Sequence, residues 1–248
     1  MRKLSRREWI GTGLGVTGLA AAAKLGADNG LVPPDSVGLF GAGETMTYAA
    51  QRVLTQHSHA REFDRSQISK DPFANPVGPL GSTFEGLQAG GFAEWRMFVD
   101  GMVARPASFS VTDLRRMPAR SQITSVQCEE GWNYIAEWTG VPLAHVLDAA
   151  GTLPQARFVV YRSFQPDWWD SIDMADALHP QTILAHGMNG GELPVGFGGP
   201  IRLRVPRQLG YKSVKYIVRL TLVDNLKRVG KGLGSAAPEA GYAWYAGI

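Results

Sequence analysis

The side chain with the clearest chemical potential is the chain's only cysteine, Cys128, which lies in the stretch Ser125-Val126-Gln127-Cys128-Glu129-Glu130-Gly131-Trp132. A single thiol cannot form a disulfide within the chain, whereas a thiolate is a good ligand for a soft metal centre. The sequence therefore predicts that Cys128 ligates a metal. Two alternatives stay open at this point: a small buried hydrophobic residue, and a hydrolase nucleophile with His145 or His186 as its base.

A second candidate for chemistry is the segment from Arg202 to Lys231, in which nine Lys and Arg residues stand against one acid, Asp224. The nine are Arg202, Arg204, Arg207, Lys212, Lys215, Arg219, Lys227, Arg228 and Lys231. Cations grouped in this way favour a site for phosphate or another anion. The alternative interpretation is a basic face exposed to water.

The N-terminus is typical of an exported protein. Basic residues that include the pair Arg6-Arg7 precede an apolar run from Trp9 to Ala23, and small residues near Ala27 offer a processing site. The arginine pair resembles the twin-arginine export signal of bacteria. Residues 1–27 are therefore predicted to be a signal peptide that the twin-arginine export machinery recognises, and the predicted location is the periplasm. The alternative is an uncleaved N-terminal anchor. The apolar run is short and rich in glycine, which makes it a poor membrane-spanning helix.

Removing this signal changes the charge of the chain. The whole sequence has 25 Lys and Arg against 22 Asp and Glu, but residues 1–27 hold five of those bases and one of those acids. Residues 28–248 therefore have 20 bases and 21 acids, a net charge of about −1. This near-neutral balance gives no reason to expect a nucleic-acid partner.

The patterns divide the remainder into two parts. Residues 28–91 contain several turn-forming dipeptides that end in Pro. They are predicted to be an irregular N-terminal arm that wraps the core, with a short helix near Thr47–Gln56. Residues 92–248 show the apolar patterning of a folded domain. Short strands and short helices mix there without regular β-α-β spacing, so the predicted fold class is α+β and largely β.

Several elements of this domain have local signatures. Ser110 and Asp113 form a capping pattern for a short helix that Pro118 ends, and Pro142 and Gly151 flank another. Strands are predicted as a hairpin around Asp100-Gly101 at 97–103, a buried strand at 158–161, a half-exposed strand at 201–205, and a strand at 213–223 with Val214, Tyr216, Val218, Leu220 and Leu222 on one face.

Ordered blocks from about Phe92 to the C-terminus, roughly 60% of the chain, resemble the sulfite oxidase family of molybdopterin-dependent oxidoreductases. The blocks are Cys128-Glu129-Glu130-Gly131-Trp132, Trp138-Thr139-Gly140-Val141-Pro142-Leu143, Ile183-Leu184-Ala185 with Met188-Asn189-Gly190 and Leu193-Pro194, Gly198-Gly199-Pro200-Ile201-Arg202-Leu203, and Gly210-Tyr211-Lys212-Ser213-Val214-Lys215-Tyr216. They occur in the family's order and at similar spacing. The resemblance implies the mixed-sheet fold of that family's molybdopterin domain, which would occupy residues 92–248.

By this resemblance the chain binds molybdenum-molybdopterin, with Cys128 as the protein thiolate on the metal. The phosphate tail of the pterin would be held by Arg202 and by the turn Ser213-Val214-Lys215, within the basic segment. Ser163 stands where the family places a small hydroxyl residue near the cofactor. Asn75 matches an asparagine of the family's N-terminal arm.

Three residues depart from the family's pattern. Phe197 stands where a His or Asn is usual, so one polar cofactor contact is expected to be absent. Trp168 occupies the place of the active-site tyrosine of sulfite-oxidising members; an indole cannot supply a phenolic proton, which argues against sulfite as substrate. We place Trp168 in the catalytic site as a wall of an apolar substrate pocket, with core packing of the pair Trp168-Trp169 as the alternative. Glu129, next to the predicted ligand, is expected to raise the pKa of the thiol.

The predicted function is oxygen-atom transfer on a small-molecule substrate by an exported molybdopterin oxidoreductase. The sequence has no Cys-x-x-Cys-His haem site and no room after residue 248 for the family's C-terminal dimerisation domain. Electrons are therefore expected to pass through a separate electron-transfer protein such as a cytochrome. The alternative is a degenerate family member that acts as a non-catalytic binding module. Sulfoxides, sulfur oxyanions and N-oxides all stay open as substrates.

Overall fold

Two five-stranded sheets organise the chain, for which the computed structural model describes residue 26 and residues 30–37 and 40–248. In chain order the strands are β1 (Arg96–Gly101), β2 (Ala107–Ser110), β3 (Arg120–Gln127), β4 (Asn133–Pro142), β5 (Phe158–Ser163), β6 (Trp169–Asp173), β7 (Ile183–Met188), β8 (Gly191–Glu192), β9 (Arg202–Arg204) and β10 (Ile217–Val223). The first sheet has the order β2-β1-β10-β5-β6, and the second has β3-β4-β7-β8 with β9 paired to β7. The sheets are mixed because β1 and β10 run parallel, whereas the other paired strands are antiparallel.

The described α-helices are α1 (Gly41–Thr55), α2 (Gly81–Ala89), α3 (Val111–Arg116), α4 (Leu143–Ala150), α5 (Met174–Ala177) and α6 (Ala236–Glu239), with 3-10 turns at Arg65–Gln67, Val195–Phe197 and Gly210–Lys212. Three of the described helices, α3 to α5, connect strands of one sheet to strands of the other, while α1 and α2 precede β1 and α6 follows β10. Helices α3 and α4 lie where they were predicted: Ser110 Oγ accepts the Asp113 N–H at 3.0 Å, and Gly151 ends α4 with φ of +71°. The predicted α+β, largely β class is confirmed.

The main apolar core joins the two sheets. It contains buried residues of the first sheet, such as Met97 and Leu220, and of the second, such as Val141 and Leu203, together with one face of α4. Two smaller clusters flank it. The first contains Val126, Tyr134, Ala136, Trp138, Ile183, Ala185, Met188 and Leu193, and the second contains Tyr48, Val160, Trp169, Leu226, Trp244 and Tyr245. The two smaller clusters pack against the end of β3, the start of β4 and the start of β6, which lie next to the candidate site.

The segment predicted to be an irregular arm, residues 28–91, contains α1 and α2 and is tied to the sheets. The Tyr48 hydroxyl donates to Asp173 Oδ2 at 2.6 Å, and the Phe63 N–H donates to the Ile123 carbonyl at 2.9 Å. Helix α1 begins six residues before the predicted start, at Gly41, where the N-cap Phe40 makes no side-chain cap. A helix start without a capping side chain leaves no local signal in the sequence.

The predicted hairpin at 97–103 is wrong. Asp100-Gly101 ends β1, whose antiparallel neighbour is β2, while its other edge pairs in parallel with β10. Asp100 is engaged by β10, since Oδ1 accepts the Thr221 hydroxyl at 2.7 Å and the other oxygen forms an ion pair with Arg219. The contact with a strand distant in sequence outweighs the local turn preference.

The strand predicted at 213–223 begins only at Ile217, while four of the five residues predicted to share one face, Val214, Tyr216, Leu220 and Leu222, are buried in the core. A register irregularity lies between Ile217 and Arg219, so Ile217 is buried while Val218 is half-buried. The strand predicted as half-exposed at 201–205 is also different, because all three residues of β9 are buried. A bulge and buried arginines both break the two-residue alternation on which these predictions depend.

The predicted signal peptide, residues 1–27, lies outside the described residues except for Gly26. Among the helices of the described part, none combines the length and the apolar composition needed to cross a membrane.

Candidate functional site

A cavity of about 430 Å³ lies beside the turn between β3 and β4. Its walls come from arm residues 73–78, the β3–β4 turn, the loop before β6, and the segment from Gly210 to Lys215. Seven predicted site residues line it: Asn75, Cys128, Trp168, Arg202, Ser213, Val214 and Lys215. The tertiary structure thus brings together residues that lie up to 140 positions apart in the sequence.

Cys128 is positioned by the turn that joins the two longest paired strands. The Cys128 N–H donates to the Trp132 carbonyl at 3.0 Å, and the Gly131 N–H donates to the Cys128 carbonyl at 3.1 Å. Gly210 packs behind this turn: a Cβ there would lie 3.2 Å from the Gln127 carbonyl oxygen. The thiol is thereby held at the cavity wall by hydrogen bonds on one side and close backbone packing on the other.

Burial and two carboxylates hold Cys128 in its protonated form. Its Sγ donates to Glu129 Oε2 at 3.4 Å and to Glu130 Oε2 at 3.7 Å. Burial first, and then Glu129 and Glu130, raise the pKa of the thiol to about 12, although a backbone hydrogen bond opposes the shift. A thiolate here therefore requires a cation, such as a metal, at the sulfur. Neither His145 nor His186 lines the cavity, so the hydrolase alternative lacks its base.

Arg202 is a buried cation held by carbonyl groups. It is 5% exposed; Nε and Nη2 donate to the Ser213 carbonyl at 3.2 and 2.8 Å, and Nη1 donates to the Phe197 carbonyl at 2.9 Å. Phe197 therefore contributes its main chain to the site. Burial lowers the pKa of Arg202 below its ordinary value, because a charge removed from water is costly.

Two further cations lie close to the same turn. Lys215 Nζ donates to the carbonyls of Asn75 and Gly196, each at 2.7 Å. Arg204, 1% exposed, donates from Nη1 to Ser213 Oγ at 3.0 Å, while its Nε has no partner. It does not line the cavity but supports Ser213. Among the described residues, Arg202, Arg204 and Lys215 form no ion pair with a carboxylate, and buried cations without a counterion favour an anionic ligand.

Gly198 allows this approach of two cationic side chains. Its φ is +108°, and a Cβ at this position would lie 2.9 Å from Lys215 Cβ and 3.0 Å from Arg202 Cβ. A side chain here would push the two cations apart as well as strain the backbone.

Other members of the basic segment have a structural role. Lys212 Nζ lies 2.6 Å from Asp170 Oδ1, Arg207 Nη1 lies 3.2 Å from Asp176 Oδ1, and Arg219 pairs with Asp100. The nine cations of the segment therefore fall into three groups of three: those paired with carboxylates, those near the cavity, and the exposed Lys227, Arg228 and Lys231, for which the alternative of a basic face in water holds.

Aromatic side chains surround the mouth of the cavity. Trp168, Phe73 and Tyr242 all line it and are 48%, 50% and 49% exposed. Trp169 instead packs in the core cluster with Tyr48 and Trp244. The two members of the pair therefore differ: Trp168 lines the cavity, and Trp169 packs in the core. The sequence did not identify Phe73 or Tyr242, since neither belongs to a recognisable motif.

Ser163 differs from the other predicted site residues because it does not line the cavity. Its Oγ accepts the Gln165 N–H at 3.0 Å, and its N–H donates to the Trp168 carbonyl at 2.9 Å. Ser163 shapes the loop that carries Trp168.

The cation cluster predicts a pH dependence of anion binding. Burial, and then the nearby charge of Arg202, lower the pKa of Lys215 to about 8. Below that pH Lys215 is a cation and attracts an anion; above it the charge is lost. The affinity of the cofactor-free protein for sulfate, whose own charge stays constant, is expected to fall about tenfold between pH 7 and 9.5, as measured by isothermal titration calorimetry. K215M should bind sulfate weakly with little change across this range, and an equally steep fall in K215M would contradict the assignment.

Comparison with known proteins shows which family the chain resembles. Residues 87–228 match the family model described as oxidoreductase molybdopterin binding domain. The chain is 36% identical over 155 residues to a putative protein-methionine-sulfoxide reductase subunit, YedZ1, of Azospira oryzae, an alignment that covers 62% of this chain and 56% of that relative. The fold is similar to that of the sulfane dehydrogenase SoxCD from Paracoccus pantotrophus, with a TM-score of 0.53 and 21% identity over 68% of this chain and 46% of that one.

The chain thus spans about half the length of each of these two proteins. The likeness to SoxCD shows the fold, whereas the family model covers more than half of the chain and includes Cys128, Arg202 and the Ser213-Val214-Lys215 turn. The chain therefore belongs to the sulfite oxidase family of molybdopterin-dependent oxidoreductases, whose domain binds molybdenum with molybdopterin.

Proposed function

We propose that this oxidoreductase reduces a small sulfoxide to a sulfide with electrons from a separate protein. The reaction consumes two electrons and two protons, breaks the S=O bond and releases water: R2SO + 2 e⁻ + 2 H⁺ gives R2S + H2O. One observation carries the proposal: a single cavity combines the thiol of Cys128 with buried cations that have no carboxylate partner. The substrate class comes from the name of the Azospira relative and from the aromatic mouth.

The residues of the cavity fit the family's cofactor. Cys128 offers one soft ligand, which suits molybdenum. Arg202, Ser213, Val214 and Lys215 offer cations and polar groups for a phosphate tail. When bound, the cofactor supplies a two-electron centre for oxygen-atom transfer.

The side chains around this centre bind and orient. Trp168, with Phe73 and Tyr242, provides an apolar wall for the substituents of the substrate. Asn75 fixes Lys215 through its carbonyl, and Ser163 fixes the loop of Trp168. The proton that Cys128 loses on binding a metal has an acceptor 3.4 Å away, Glu129 Oε2.

Export and electron transfer complete the proposal. Residues 1–27 direct the folded protein to the periplasm through the twin-arginine route, with a retained anchor as the alternative. The name of the Azospira relative includes the word subunit, which supports operation with a partner. We propose a cytochrome or another one-electron carrier in this role.

The test is turnover by protein made in an export-competent host supplied with molybdate. With a reduced viologen dye as electron donor, sulfoxides are expected to be reduced with higher kcat/KM than N-oxides, and sulfite is not expected to be oxidised with an acceptor dye. A preparation that contains stoichiometric molybdenum with a reducible paramagnetic signal rejects the alternative of a non-catalytic binding module. Metal-loaded protein that reduces no sulfoxide would overturn the proposed substrate class.

A further inference from the structure

We propose that Glu129 and Glu130 form a charge filter at the cavity, which favours electrically neutral substrates and rejects anionic ones. The inference rests on the proposed function, because it concerns what reaches the same site. It assigns specificity to two residues that follow the predicted ligand directly.

The two carboxylates are exposed and both line the cavity. Glu130 is held in place: its Oε2 accepts the Trp132 Nε1–H at 2.8 Å, and the Trp132 ring in turn contacts Phe73 at 5.1 Å between centroids. Among the described residues neither carboxylate forms an ion pair with Lys, Arg or His. Their negative charge therefore acts on whatever enters.

The cations of the cavity lie deeper and are engaged differently. Arg202 is 5% exposed and Lys215 donates to two carbonyls, so both are held close to the protein backbone. Under the proposed function these cations also face the phosphate tail of the cofactor. An approaching molecule thus meets acids and aromatic rings first, and the lining residues include no other Lys, Arg or His.

This arrangement selects by charge and by polarity together. The aromatic mouth of Phe73, Trp168 and Tyr242 favours apolar substituents. Two like charges within the same cavity oppose an anion. A neutral sulfoxide satisfies both conditions, whereas a sulfur oxyanion satisfies neither.

A pair of matched substrates tests the filter in the metal-loaded enzyme. Methyl phenyl sulfoxide is neutral, and the same molecule with a ring carboxylate is an anion with the same reacting group. The wild type is expected to prefer the neutral compound at least tenfold in kcat/KM at low ionic strength, and E129Q/E130Q to lower this preference about tenfold. The control E85Q/E94Q removes the same net charge from exposed positions outside the cavity and should keep the wild-type preference.

Quenching of tryptophan fluorescence tests the filter without turnover. Trp168 is 48% exposed at the mouth of the cavity. Its contribution to the fluorescence is obtained by subtracting the emission of the corresponding Trp168→Phe variant from that of each protein. E129Q/E130Q is expected to increase quenching of Trp168 by iodide about twofold, while quenching by neutral acrylamide stays the same. The single variant E129Q, expected to show a smaller change in the same direction, serves if the double variant does not fold.

The two measurements separate the two proposals. If the wild type reduces neither sulfoxide, the proposed function fails, and the iodide result still decides the filter. If sulfoxides are reduced but E129Q/E130Q and E85Q/E94Q show the same preference as the wild type, the filter is overturned. Equal iodide quenching of Trp168 in the wild type, in E129Q/E130Q and in E85Q/E94Q overturns the filter as well.

Discussion

Replacement of Cys128 by serine is expected to lower turnover by more than 100-fold and to leave the stability of the cofactor-free protein nearly unchanged. The side chain is the chain's only thiol, and a hydroxyl at this position is a poor donor to a soft metal centre. Changes outside the direct ligands of a metal already cost about 10- to 100-fold in affinity or activity, so loss of the ligand itself should exceed that range. The measurements are dye-linked turnover and molybdenum per protein.

The neighbouring variant Q127A is the control for Cys128. Gln127 is exposed at the end of β3 and does not line the cavity, so Q127A should retain metal and turnover. Thermal unfolding of the cofactor-free proteins verifies that both variants fold. Full molybdenum content and full turnover in Cys128→Ser would remove the ligand assignment, and with it the central role given to this residue.

Replacement of Lys212 by methionine is expected to lower the free energy of unfolding by about 3–5 kcal/mol, because it leaves Asp170 buried without its counterion. Lys212 is fully buried, and its Nζ donates to Asp170 Oδ1 at 2.6 Å and to the Ser171 carbonyl at 3.0 Å. For a chain of this length such a loss corresponds to a fall in Tm of about 6–20 °C. Lys212 directly precedes Ser213, so anion binding at the turn is expected to weaken as well.

Two companion variants make this prediction specific. K212M/D170N removes both charges and should recover part of the lost stability, since the isolated carboxylate is gone. Arg219→Met breaks the ion pair between Arg219 and Asp100, in which the two side chains are 46% and 31% exposed. It should lower the free energy of unfolding by less than about 1 kcal/mol. Urea titrations of the four proteins provide the comparison. A loss in K212M as small as that in Arg219→Met would show that the buried pair contributes little.

The sequence predicted elements whose signals are local and missed those whose signals are distant. Helices α3 and α4 have their capping residues beside them in the sequence. Strand β3 was missed because its buried side chains are Gln122, Thr124 and Val126, two of them polar. Gln122 is satisfied by the Gln181 carbonyl at 2.8 Å, a partner that no local pattern of apolar residues reveals.

By itself the sequence determined the α+β class, the family, and the chemistry that one cysteine and a basic segment can supply, because these depend on residue types and on short spacings. Only the tertiary structure decided which cations serve the site. Lys212 and Arg207 lie within reach of buried carboxylates, whereas Arg202 and Lys215 donate to carbonyl groups beside the cavity and, among the described residues, pair with no carboxylate. The electrostatic role of a cation depends on the charges that folding places next to it, and those charges lie far away in the sequence.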